Sequence, residues 1–154
     1  MRTLILLTAA PGAGKSTWAA RYAENNNHVR IVSSDEVRKE ITGSYQDFSK
    51  QPLVWETFRK RIHEYGQSDD EAIVICDGVN DTNAIRLSYA KDTPEFDRHI
   101  LVYIVRSLEV LQYQNKKRPA EKWVPAEVVE SYFKRLEEPN AEVKAAYDEY
   151  IVVT

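Results

Sequence analysis

The sequence predicts a three-layer α/β fold: a mostly parallel five-stranded sheet with helices on both faces. Three observations carry this. Five short aliphatic, β-branched runs alternate with helix-period segments, and the order reads β-α-β-α-α-β-α-β-α-α-α-β. The runs lack polar alternation, as expected for strands buried on both faces. A glycine-rich turn joins the first run to the first helical segment.

The strands are read at 3–9 (TLILLTA), 28–33 (HVRIVS), 72–77 (AIVICD), 99–105 (HILVYIV) and 149–154 (EYIVVT). The first helix, Lys15–Ala23, carries Trp18, Ala19 and Tyr22 on one side. Asp35–Ile41 stops at Gly43, and a helix over about 51–65 places Val54, Phe58 and Ile62 at four-residue spacing before Gly66. Thr82–Ala90 follows an N-cap at Asp81, and a helix over about 108–116 follows Ser107. Pro125 suits the first position of a helix reaching about Leu136, and Asn140 caps a last helix before the final strand. Residues 43–51 and 116–124 are the expected flexible pieces.

The 154 residues suit one domain with a real core, expected to span 1–154, and a last strand at the chain end leaves no appended domain expected. A single cysteine, Cys76, excludes a disulfide framework within the chain, and a reducing, cytoplasmic setting fits. His28, His63 and His99 are scattered, without zinc-ligand spacing. No run approaches the ~20 apolar residues of a membrane span, and no signal peptide or membrane partner is expected. A net charge of −3 means that any polyanion must be gripped locally.

The chemistry starts at TAAPGAGKSTWAA, residues 8–20. G-x-x-x-x-G-K-[ST] is the pattern of a P-loop, and here Ala9 replaces the first glycine. Backbone N–H groups around Pro11, Gly12, Ala13 and Gly14 to Ser16 are expected to cradle a β-phosphate at a helix N-terminus. Lys15 reaches the β/γ oxygens, and the Ser16 hydroxyl ligates Mg²⁺. Ala9 precedes the tight part of the loop and can keep β-like angles. A P-loop says only that a nucleoside triphosphate binds. The GTPase-type N-K-x-D signature is absent, since QNKKR lacks the aspartate. A small five-strand domain then favours a kinase.

An acceptor should sit at the carboxyl ends of the strands. Asp35, after the second strand, is the expected base for an acceptor hydroxyl. Arg38, one turn on, would hold an acceptor phosphate. The plainer alternative is a Ser33-x-x-Glu36 capping box, with Asp35 a first-turn acid stabilising the helix dipole and Asp35–Arg38 an ordinary i,i+3 pair. Asp77, ending the third strand, reads as a metal-binding or acceptor-side carboxylate, or as an Asx turn with Gly78. A basic lid, about 114–136, carries Lys116, Lys117, Arg118 and Lys122. Arg118 is expected to close on the transferring phosphoryl group, and the lysines to be solvated.

PGAGKSTWA, SSDEVRKEI, ICDGVNDTNAIR and NKKRPAEKWVPAEVVESYFKRL together resemble the 5′-kinase domain of polynucleotide kinases, over nearly the whole chain. That resemblance implies transfer of the ATP γ-phosphate, with Mg²⁺, to a 5′-hydroxyl end of RNA or DNA. It implies that Lys15, Ser16 and Thr17 hold ATP and Mg²⁺, and that Asp35 is the general base. Arg38 would bind the phosphate 3′ of the acceptor nucleoside, and Asp77 would organise the acceptor side. Arg118 would grip the phosphoryl group, and Val124 would pack on the acceptor base. The sequence departs from the family in its lid, where Tyr113-Gln114 stands near the place of a second arginine. By the resemblance, with no phosphatase domain expected to follow, a stand-alone kinase is implied. Three readings stay open: this kinase, a P-loop kinase for a small molecule or modified DNA base, and a non-catalytic nucleotide-binding module. A homo-oligomer is compatible with each.

Overall fold

The computed structural model describes residues 1–154. The elements run β1 (Thr3–Thr8), α1 (Lys15–Asn25), β2 (Val29–Ser33), α2 (Ser34–Thr42), α3 (Gln51–Gln67), β3 (Ile73–Asp77), α4 (Asn83–Asp92), β4 (Arg98–Ile104), α5 (Leu108–Lys117), α6 (Ala126–Arg135), α7 (Ala141–Ala146) and β5 (Glu149–Val153). A single 3₁₀ turn at Ala120–Lys122 lies between α5 and α6. The order of elements is the one read from the sequence.

The sheet is parallel throughout, in the order β2-β3-β1-β4-β5. Alternate strand residues feed two cores. Leu4, Leu6, Val74, Cys76 and Leu101 face α2, α3, α4 and α7 through Val37, Phe58, Tyr89 and Val143. Ile5, Leu7, Ile75, Val102 and Ile104 face α1, α5 and α6 through Ala19, Leu111 and Val129. Burial on both faces is why the strands read as continuous apolar runs. Each large aliphatic or aromatic side chain enclosed this way stabilises the fold by roughly 1.5–3 kcal/mol.

Several helix ends differ from the reading. The N-cap of α4 is Thr82, whose hydroxyl accepts from the Ile85 N–H at 3.2 Å. Asp81 is drawn away by Arg135, at 3.2 Å. Pro125 is the N-cap of α6 rather than its first residue. Gly66 does not end α3, which continues to Gln67. It is a packing glycine, since a Cβ there would run into the Phe96 ring. Of the Trp18, Ala19 and Tyr22 face of α1, only Ala19 is fully buried. Trp18 and Tyr22 stack on each other at 5.3 Å.

Arg86, on α4, is fully buried and ties distant segments together. Its guanidinium donates to Thr8 Oγ1, to the carbonyls of Asn80 and Glu137, and to Asn83 Oδ1. These acceptors come from the end of β1, the β3–α4 loop, the first residue of α4 and the segment after α6. A buried charge is tolerated only when satisfied in this way.

Candidate active site

The strand order brings the carboxyl ends of β2, β3 and β1 side by side, so residues far apart in sequence share one cleft. Residues Ala9 to Gly14 link β1 to α1. Ala9 is fully buried, and its N–H donates to the Val79 carbonyl at 3.1 Å. It has no positive φ, so alanine serves where the motif has glycine. Gly12 and Gly14 do have left-handed backbone, at φ 88° and 97°. Their roles differ. A Cβ on Gly14 would meet nothing, leaving open space at the helix N-terminus. A Cβ on Gly12 would lie 2.5 Å from the Leu111 carbonyl oxygen, so Gly12 is what lets α5 pack against the loop.

α1 begins with no side-chain cap and no acidic residue in its first turn. By contrast α2, α4, α5 and α7 are capped by Ser33, Thr82, Ser107 and Asn140. The N–H groups of Lys15, Ser16 and Thr17 thus face the cleft without an acceptor, as an anion-binding terminus requires. Lys15 Nζ folds back onto the Ala9 and Ala10 carbonyls, each at 3.2 Å. Burial holds its pKa below the ordinary lysine value, against the pull of Asp77 and Asp35.

Ser16 Oγ donates to Asp77 Oδ2 at 2.9 Å. Asp77 is only 5% exposed. Burial pushes its carboxyl above the ordinary range, although Lys15 and the Ser16 hydrogen bond pull it down. Nowhere in the chain does a cluster of three or more His, Cys, Asp or Glu side chains suited to a metal assemble. One hydroxyl beside one carboxylate, open toward a phosphate cradle, fits a Mg²⁺ that takes its other ligands from phosphate and water.

The sign of the Asp77 shift makes a prediction. A carboxyl whose folded pKa lies above its unfolded value costs stability when charged, and that cost vanishes as pH falls below the unfolded value. Asp77→Asn therefore melts higher than the parent at about pH 7.5, by about 2–4 °C per kcal/mol recovered. The gap closes toward about pH 4. Thermal melts at both pH values check this, and identical melting temperatures at pH 7.5 would refute the burial cost.

Asp35 stands in the first turn of α2, next to the register pair Ser33 and Asp77 that joins β2 to β3. Arg38 Nη1 donates to its Oδ1 at 2.8 Å, and Arg118 Nη2 reaches its Oδ2 at 3.3 Å. Arg38 is 5% exposed. It also donates from Nε to Gln51 Oε1 at 3.0 Å and lies over the Phe48 ring at 4.4 Å. The ordinary i,i+3 pair is present, yet its arginine is buried, its carboxylate stays 43% exposed, and Arg118 joins it as a third partner. The capping box is only half formed. Ser33 Oγ accepts from the Glu36 N–H at 3.3 Å, but the Glu36 carboxylate goes to the Tyr45 hydroxyl at 2.8 Å and Lys122 at 3.3 Å.

The lid turn lies across α2. Lys39 pairs with Glu121 at 3.3 Å, and Gln46 Nε2 donates to the Trp123 carbonyl at 2.8 Å. Lys122 therefore departs from the expected solvated lysine: it pairs with Glu36 and sits 4.9 Å from the Tyr45 ring centre. Val124 is held by its backbone, both ends of which bond to the buried Asn115 side chain, at 3.1 and 2.7 Å. Its side chain packs partly on the core beneath the lid.

All the expected site residues line one open cleft of about 1810 Å³, from Pro11 through Thr17 to Asp35, Arg38, Asp77, Arg118 and Val124. Its wall also holds Asn80, Phe48, Trp55 and Arg59, none of them among the expected site residues. Asn80 Oδ1 and Gln114 Oε1 are buried there without a hydrogen-bond partner. Asn80 has left-handed backbone at φ 44°, in the loop after β3, and only the G-x-N order hinted at that turn.

A family model described as an AAA domain matches residues 4–139, from β1 past the lid. The chain belongs to the AAA domain family. Among solved structures, this AAA domain chain is similar to one from the Pnkp1/Rnl/Hen1 RNA repair complex, with TM-score 0.74, 22% identity and coverage of 96% of this chain and 46% of that one. It is also similar to Chaetomium thermophilum Kti12 in complex with ADP-AlF3, with TM-score 0.72, 17% identity and coverage of 98% and 88%. A gluconokinase from Sinorhizobium meliloti 1021 gives TM-score 0.65, 18% identity and coverage of 98% and 81%. The chain thus spans less than half the length of its RNA-repair neighbour. These likenesses establish a P-loop kinase fold for the AAA domain chain.

Proposed function

We propose that this chain is a Mg²⁺- and ATP-dependent phosphotransferase, a single kinase domain over 1–154, that phosphorylates the 5′-hydroxyl of a polynucleotide. The observation that carries the reading is the Asp35 carboxylate, set across the cleft from the uncapped N-terminus of α1 and bracketed by Arg38 and Arg118. A nucleotide sensor needs no such acceptor side.

In this reading the cradle from Pro11 to Thr17 holds the ATP phosphates. Ser16 and Asp77 would hold Mg²⁺, which would supply positive charge to neutralise the phosphates during transfer. Asp35 orients the acceptor hydroxyl and accepts its proton. A bond forms from the 5′-oxygen to the γ-phosphorus, the bond from that phosphorus to the bridging oxygen breaks, and ADP leaves. Asp35 must first release Arg118, which then turns to the transferring phosphoryl group. Arg38 Nη2 has no hydrogen-bond partner in the protein, which leaves a donor for the phosphate on the 3′ side of the acceptor nucleoside. Val124 borders the acceptor base.

The test is transfer of labelled γ-phosphate from ATP to a 5′-hydroxyl oligonucleotide with Mg²⁺, beside nucleosides and sugar acids. Oligonucleotide labelling is expected. Labelling of sugars alone would replace this reading with the small-molecule one, which the fuller coverage of the gluconokinase favours. Arg38→Ala is expected to lower kcat/KM for a nucleoside 3′-phosphate about 10- to 100-fold more than for the bare nucleoside. Equal losses on both acceptors would reject the phosphate role.

A further inference from the structure

The cleft does not end at Arg38. It continues along α3, where Gln51, Trp55 and Arg59 recur at four-residue spacing and all face it. Gln51 is already tied to Arg38. Arg59 stands just over two helical turns farther than Gln51, about 12 Å along the axis. Its guanidinium lies 4.1 Å from the buried Tyr89 ring centre, and Nη2 donates to Ser88 Oγ at 3.0 Å. Asp92 is 3.7 Å away and half exposed, a weak counter-charge. Arg59 Nε has no hydrogen-bond partner, and its side chain is 37% exposed. Between the two arginines, Trp55 is half-buried, braced edge-on by Phe58 at 5.3 Å.

An acceptor with one phosphate is fully used by Asp35 and Arg38. It offers nothing to a cation two turns away. An aromatic platform between two arginines is instead the arrangement by which proteins hold single-stranded nucleic acid, with bases stacking and cations tracking the backbone. We propose that this face of α3 is a second nucleotide subsite, in which Trp55 takes a base of the acceptor strand 3′ to the phosphorylated nucleoside and Arg59 takes a backbone phosphate. This rests on the polynucleotide reading above and adds to it that the acceptor is a strand of at least two or three nucleotides. The bracing of both side chains by Phe58, Tyr89 and Ser88 lowers the entropy lost on binding.

The experiment compares kcat/KM for a 5′-hydroxyl trinucleotide with that for a nucleoside 3′-monophosphate, in the parent protein, Arg59→Ala and Arg59→Lys. Thermal melts confirm that each variant folds. In the parent the trinucleotide is expected to be the better acceptor. In Arg59→Ala the ratio should fall about tenfold, with partial recovery in Arg59→Lys. The dependence of trinucleotide affinity on salt should become shallower, by about 0.7 in the log–log slope, as one phosphate contact is lost. A ratio and slope unchanged in Arg59→Ala, while the parent phosphorylates both acceptors, would overturn this subsite and leave the polynucleotide reading standing. Failure of the parent to phosphorylate either acceptor would overturn both.

Discussion

Asp35→Asn is expected to lower kcat for transfer to a 5′-hydroxyl by about 10²–10⁴-fold, the usual contribution of a positioned general base. ATP affinity should stay close to that of the parent, because Asp35 lies on α2, across the cleft from the phosphate cradle. An asparagine keeps the size of the side chain and one acceptor oxygen, so Arg38 can still bond to it. It cannot take up a proton, and it cannot balance two guanidinium groups. Arg118, at 3.3 Å in the parent, then loses its ion pair and the lid turn loses one anchor. Other anchors remain at Lys39–Glu121 and Lys122–Glu36, so the lid should still fold over α2. The measurement is single-turnover phosphate transfer, with nucleotide affinity by calorimetry. Transfer within tenfold of the parent would remove Asp35 from the role of base.

Lys15→Ala is expected to reduce transfer by about 10²–10³-fold, the scale for deleting one electrostatic contact to a developing charge. It should also weaken ATP binding by about 10- to 100-fold, as the loss of a charged hydrogen bond does. Lys15 now rests on the Ala9 and Ala10 carbonyls, a neutral parking place that phosphate oxygens can replace. Burial disfavours its charge, while Asp77 and Asp35 pull the other way. The two effects separate in a thermal shift assay. The parent should rise on adding Mg²⁺ and ATP, by an amount set by ligand concentration over Kd. The variant should show little rise at the same concentration. An undiminished rise with intact transfer would contradict the placement of Lys15 at the phosphates.

Much of the fold was legible because it rests on local chemistry. The aliphatic runs, the Ser33, Ser107 and Asn140 caps and the Gly43 stop each act within a few residues, and each holds in the structure. The misreadings fall where a distant partner intervenes. Arg135 takes Asp81 from the α4 cap, and Phe96 turns Gly66 from a helix end into a packing site. Lys122 is held by Glu36, which the lid meets only after the chain has folded back.

The same division runs through the site. The P-loop pattern between β1 and α1 and the i,i+3 spacing of Asp35 and Arg38 were legible in the sequence alone, because a strand–turn–helix and an i,i+3 spacing need no other segment. The sequence also carried Asp77 to a strand end. Only the tertiary structure decided that Asp77 meets Ser16, 61 residues away, and that Arg118 meets Asp35, 83 residues away. It also decided that Gly12 serves the approach of α5, that Arg86 locks three segments under the cleft, and that Trp55 and Arg59 extend its wall. Those contacts follow from the parallel order β2-β3-β1, which is selected by burying both faces of the sheet at once. No window of sequence contains that choice, since it depends on apolar surfaces distributed over the whole chain.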